Sequence, residues 1–320
     1  MNASAILAHK ITWASSKQSY LTARLLADHD LADDCLRAYA YFRWADDFID
    51  ITCQSCEDRT AFVLRQQDLI ESLYRGKRPA DLCPEEKMLA DLIAHDRGPD
   101  NGLRSFIRNF MSVIAFDAAR CGHPVSRHEL TTYTTNLATA VMDGLLYFIG
   151  NGHPYPQSPK RTLAVVGAHL THMLRDTLED LPRGIVNIPI EDIAAYGLNP
   201  EDTQSNAFRH WTQAQVEEAR RCLRGGMIYI DSLDVLRAKL AGVWYCARFE
   251  CILTAIERDS FNLRLEYPER HCLAVWMRMV GLAMVVTFKH VSRQVRQALS
   301  RLNRHVSLDR EVNIPSFRPN

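Results

Sequence analysis

An all-α fold, one domain of helices packed around a central cavity, is what this sequence predicts. Apolar residues return at the 3.6-residue period, as in Phe106, Ile107, Phe110, Ile114 and Ala118. No convincing run of strands, internal repeat or low-complexity tract interrupts that pattern. Nothing marks a linker long enough to divide the 320 residues, which are ample for a sizeable core.

The elements follow in order. Residues 1–15 read as an N-terminal segment ahead of a domain spanning 16–305, with 306–320 as a frayed tail. Ser16 to Ala27 predicts a short helix, and Leu31 to Ile51 a longer one that Asp33 or Asp34 can cap. Glu57 to Tyr74 is amphipathic and is broken by Gly76 to Pro79; Pro84 opens a helix to His95, closed by Gly98-Pro99. Leu103 to Arg120 and Ser126 to Ile149 come next, then a Pro- and Gly-rich loop from Gly150 to Pro159. Lys160 to Asp180 is stopped by Pro182 and Gly184. Ile190 to Tyr196 is short, Pro200 starts another helix, and Arg209 to Leu223 continues in period. Leu233 to Arg258 and Glu269 to Arg301 complete the set.

A formal net charge of zero implies no general attraction to nucleic acid. Met1 to Lys17 lacks the apolar core of a signal peptide, so the nine cysteines are read as reduced thiols in a cytoplasm. Cys53 and Cys56 are the only close pair, and a zinc site would want a second. Cys272 to Phe288 is the most apolar stretch, but Arg278 interrupts it and it is shorter than the roughly 20 residues of a membrane span. It predicts a buried core helix, with contact to a membrane surface as the alternative.

Two acidic clusters carry the chemistry. One reads Arg43-Trp-Ala-Asp46-Asp47-Phe-Ile-Asp50, the other His172-Met-Leu-Arg175-Asp176-Thr-Leu-Glu179-Asp180. Asp46 and Asp50 lie one helical turn apart, as do Asp176 and Asp180. Like charges at that spacing destabilise a helix, and carboxylates in apolar helices are costly unless neutralised. A divalent cation is the expected neutraliser, and hard oxygen ligands suit Mg²⁺, which keeps waters and accepts substrate phosphate. Tyr39 and Arg43 share a stripe with the first cluster, and an Arg fork suits carboxylate or phosphate. His169 and His172 with Asp176 are an alternative transition-metal set, less apt among so many carboxylates. Two facing acid clusters suit departure of pyrophosphate from an allylic diphosphate inside a dry aromatic cavity.

From Ser16 to Arg264 the chain resembles the squalene/phytoene synthase family of prenyltransferases. Ser16-Lys17-Gln-Ser resembles the family's N-terminal flap over diphosphate. Ala38-Tyr39 to Asp50 resembles its first Asp-rich motif. His169 to Asp180, followed by Arg183-Gly184-Ile-Val-Asn-Ile-Pro189, resembles its second motif and basic loop. The resemblance implies Mg²⁺ ligation by Asp46, Asp50, Asp176 and Asp180, with Asp47, His172 and Glu179 beside them. It implies diphosphate contacts from Ser16, Lys17, Tyr39, Arg43, Arg175 and Arg183. Tyr133 falls where the family has a Tyr near the departing pyrophosphate, so Tyr133, Arg175 and Asp176 are the expected catalytic residues.

Departures concern the second substrate. Thr139 and Met142 stand at two family glycine positions, His172 at an Asn and Phe249 at a Tyr; Asp143 adds a polar group. The implied reaction is ionisation of an allylic prenyl diphosphate and coupling of the cation to a carbon nucleophile. Head-to-head joining of two prenyl diphosphates is the family default, with a nicotinamide reductant needed for squalene. Prenylation of an aromatic, carbazole-type acceptor is the alternative, then terpene cyclisation; a non-enzymatic assembly factor is the rival that intact Asp motifs disfavour.

Overall fold

The computed structural model describes residues 2–98, 102–150 and 152–312; the expected helix stop at Pro99 and the tail beyond Val312 lie outside them. Among the described residues there are twelve α-helices and no strand. They are α1 (Ala3–Ser15), α2 (Lys17–Leu26), α3 (Ala32–Asp47), α4 (Cys56–Tyr74), α5 (Pro84–Ala94) and α6 (Leu103–Arg120). Then come α7 (Arg127–Phe148), α8 (Leu163–Asp180), α9 (Ile190–Tyr196), α10 (Asn206–Ser232), α11 (Leu236–Arg258) and α12 (Leu273–Val312).

Local chemistry sets most of the boundaries. Ser55 with Asp58 and Ser126 with Glu129 form reciprocal caps that satisfy the first amides of α4 and α7. Cys83 and Glu86 do the same for α5, and the buried Glu86 carboxylate also accepts from Arg65 and Gln66. Gln66 in turn accepts from the buried Tyr41 hydroxyl at 2.9 Å, so a polar chain ties α3, α4 and α5 together inside an apolar core.

The structure departs from several expectations. Residues 3–15, expected as a segment ahead of the domain, form α1, where Ala5, Ala8 and Thr12 are fully buried and the helix packs on α3 and α5. Pro200 starts no helix, and α10 begins at Asn206 behind its Ser205 cap. It then runs through Gly225-Gly226 to Ser232, because α8 lies so close that side chains there would collide. A Cβ on Gly226 would sit 2.3 Å from the Ala164 nitrogen, and one on Gly167 would sit 2.6 Å from the Ala219 carbonyl oxygen. α12 runs helical to Val312, past Val306 where a frayed tail is expected.

Cys272 to Phe288 is a further departure, for it is no core helix. Trp276, Met277, Val280, Met284 and Phe288 are exposed on α12, because α11 covers only the opposite face. No helix among the described residues is long and apolar enough to cross a membrane. The cysteines also depart from expectation. Cys56, at the start of α4, and Cys121, just past α6, are joined by a disulfide with Cα atoms 6.0 Å apart. Packing of α4 on α6 brings together two residues 65 apart, which spacing along the chain does not reveal.

Two apolar clusters form the interior. One joins α1 to α7, the other α8 to α11, and the central cavity lies between them.

Candidate active site

The cavity has a volume of about 760 Å³ and draws its walls from α2, α3, α6, α7, α8, α10 and α11. Much of the wall is aromatic: Phe42, Phe106, Phe110, Phe148, Trp244 and Tyr245. One end is acidic. Asp46 from α3, Asp117 from α6, and Asp176 and Asp180 from α8 all open onto it. The two acid clusters of the sequence therefore meet at one space.

The first cluster is not a continuous α-helix. α3 ends at Asp47, and Phe48–Thr52 forms a π-helical turn closed by the Cys53 amide on the Phe48 carbonyl at 3.1 Å. Such wide turns re-aim side chains. Asp46 stays on the cavity wall, whereas Asp50 is exposed and acts on Asp46 and Asp117 through its charge. Arg43 and Tyr39 line the cavity; the Arg43 Nε donates to Asp47 at 3.1 Å, and its Nη1 lies 3.6 Å from Asp46.

In the second cluster Arg175 grips Asp176 in a fork, at 2.5 and 2.7 Å. Asp180 accepts from the Asn187 side chain at 2.9 Å. Glu179 and Arg183 are exposed and pair with each other at 3.0 Å, one turn apart, away from the lining. His172 lines the cavity edge-on to the buried Phe249. Ser16 caps α2, and Lys17 sits over the Trp13 ring, so it is Gln18 and Ser19 of that segment that line the cavity.

Tyr133 lines the cavity between Asp117 and His169: its hydroxyl donates to Asp117 at 3.3 Å, and its ring lies 5.2 Å from the His169 ring. Burial and the Asp117 charge hold its phenol well above the ordinary range, so it remains a donor. His169 is buried, its Nε2 has no hydrogen-bond partner among the described residues, and desolvation holds its imidazole down at about 4, hence neutral. Of the substituted positions, Met142 lines the cavity, while Asp143 turns away into a buried pair with Arg161.

Asp117, Arg120, Asn187 and Tyr245 escaped the sequence reading. Asp117 continues the stripe of Phe106, Phe110 and Val113, and a lone acid on that apolar face was the signal. Arg120, one turn on, donates to the Asn187 side chain and the Val186 carbonyl, tying the loop after α8 to the end of α6. Tyr245 lies one turn before Phe249 and brings to the cavity the hydroxyl that Phe249 lacks.

The acids are strained against one another. Desolvation first, then the Asp50 charge, pushes Asp46 up to about 6. Desolvation and then Asp176 do the same to Asp180, also about 6. Asp117 is pushed up to about 7 by desolvation and then Asp46. A divalent cation would relieve this repulsion. Among the described residues no three His, Cys, Asp or Glu side chains gather around one point, neither His169, His172 and Asp176 nor the aspartates of the two clusters. Carboxylates spread along one end of a cavity fit a hard cation that brings waters and takes phosphate oxygens.

Comparison with known proteins agrees with this fold. A family model described as squalene/phytoene synthase matches residues 13–276. Over 104 residues, 30% of the chain, the sequence is 30% identical to phytoene synthase 2, chloroplastic, of Zea mays, and that stretch spans 25% of the relative. The fold is similar to the crystal structure of squalene synthase HpnC from Alicyclobacillus acidocaldarius, with a TM-score of 0.66 and 17% identity over 82% of this chain and 95% of that one. It is also similar to a dehydrosqualene synthase in complex with ligand, with a TM-score of 0.65 and 16% identity over 90% and 97% of the two chains.

Proposed function

The chain belongs to the squalene/phytoene synthase family, and from that membership we propose that it is a Mg²⁺-dependent prenyltransferase joining two prenyl diphosphates head to head. The observation that carries this reading is the meeting of Asp46 with Asp176 and Asp180 at one end of an aromatic-walled cavity.

Asp46, Asp50, Asp176 and Asp180 would hold the metal, which supplies positive charge to the oxygens of a departing pyrophosphate. Arg43 and Arg175 bind carboxylates, and both are placed where their forks could turn to diphosphate oxygens. The allylic C–O bond breaks, and its electron pair leaves with pyrophosphate. Phe42, Phe106, Phe110 and Tyr245 offer ring faces to the cation and keep water from it. Coupling forms a C–C bond from the acceptor's π electrons with loss of a proton; the joined chain then loses its remaining pyrophosphate with the C–O electron pair, and loss of a second proton yields the hydrocarbon. Tyr133, held as a donor by Asp117, stands at the acidic end where it can donate to the leaving pyrophosphate.

A second reading keeps the donor and changes the acceptor to an aromatic ring. The unpartnered His169 Nε2 and the His172 ring in the wall support it, since ring nitrogens suit an acceptor bearing N–H or O–H. The test is incubation with Mg²⁺ and labelled allylic diphosphates of five to twenty carbons, with and without an aromatic acceptor. A hydrocarbon of doubled carbon number is the expected product. Product formed only with acceptor selects the second reading, and an unchanged carbon number selects cyclisation. Pyrophosphate release absent from every mixture overturns the proposal.

A further inference from the structure

The outer face of α12 has no use in the chemistry above, yet it is built in a definite way. Met277, Val280, Met284, Phe288, Val291 and Val295 are each at least half exposed and follow one another at steps of three or four residues. They form one stripe about 27 Å long at the helical rise. Phe288 is 75% exposed, an unusual position for a side chain of that size. An apolar groove of about 620 Å³ runs beside the stripe, floored by Trp244 of α11. Its indole donates to the Met279 carbonyl at 3.1 Å, which fixes the ring between α11 and α12.

Charge identifies the occupant. From Cys272 to Ser307 the sequence has no Asp or Glu, but it has Lys289 and five arginines from Arg278 to Arg304. At 100° per residue Arg278, Lys289 and Arg296 fall along one border of the stripe. A second copy of the chain laid on this face would bring cations against cations, with no acid between Cys272 and Ser307 to pair them. An anionic lipid surface accepts both the apolar stripe and its cationic border.

Trp244 joins this face to the interior, for it lines both the groove and the central cavity. We propose that α12 seats the protein on a bilayer containing anionic lipid, and that Trp244 is the wall past which a long-chain product leaves the cavity into that bilayer. The exit step rests on the prenyltransferase reading; the docking surface does not.

Sedimentation with vesicles of phosphatidylcholine, alone or with one-quarter phosphatidylglycerol, tests both parts. The parent protein should partition at least tenfold more strongly onto the anionic vesicles, and salt should release it. Met284→Glu with Phe288→Glu, both at exposed positions outside the cavity, should lose that binding while keeping single-turnover pyrophosphate release. Anionic vesicles should raise steady-state turnover of a long-chain substrate for the parent and not for the double variant. Equal binding to neutral and anionic vesicles overturns the choice of occupant. So does a dimer in light scattering that the double variant abolishes, with no vesicle binding. Vesicle binding with pyrophosphate release absent for every prenyl diphosphate leaves the docking surface standing and sinks the prenyltransferase reading.

Discussion

Replacing Asp117 by Asn should stabilise the metal-free protein more at pH 8 than at pH 5. The amide is nearly isosteric, and its oxygen can still accept from Tyr133, so the change removes chiefly a charge. Asp117 titrates at about 7 in the folded protein against an ordinary 3.8. Between those values the folded state holds a proton that the unfolded chain has lost, so stability falls as pH rises toward 7. The whole gap corresponds to about 4 kcal/mol, and halving it for solvent reaching the cavity leaves about 2. Roughly two-thirds of that accrues between pH 5 and 8, about 1 kcal/mol, or about 2 °C in Tm for a chain of this length. His169, held at about 4, works in the opposite sense, losing stability as pH falls below about 6.5. Its contribution cancels when the variant is compared with the parent at each pH. Thermal melts in chelator across pH 5 to 8 supply the comparison. A Tm difference that is flat with pH, or larger at pH 5, would refute the electrostatic account of the cavity.

Asp176→Asn should cut pyrophosphate release by on the order of 100-fold, with Tm within a few degrees of the parent, measured by phosphate-coupled assay and melting. Gly226→Ala places a Cβ 2.5 Å from that of Ala164. It should cost about 3 kcal/mol in urea unfolding, with turnover falling as α8 is displaced. Arg161→Leu leaves the buried Asp143 carboxylate unpaired and should cost about 3 kcal/mol in the same measurement. Adding Asp143→Leu to that variant should recover part of the loss.

How much of this was legible in the chain varies with the range of the interaction responsible. The helices α4, α6 and α8 could be read because apolar period acts within a few residues, and the acid clusters because four-residue spacing defines a face. The π-helical turn at Phe48–Thr52 was not, since it depends on which wall each acid must meet. Asp117 could have been suspected as a lone carboxylate on an apolar face, but its partners Tyr133 and Asp46 come from other helices.

By itself the sequence determined the helical class, most helix spans, the two acid motifs and the family resemblance, all of which rest on short-range periodicity or residue type. Only the tertiary structure decided which acids line the cavity, that Cys56 meets Cys121, and that α12 turns its apolar stripe outward. Burial and pairing between distant segments depend on how helices pack in three dimensions, and a helical period marks an apolar face without saying what covers it.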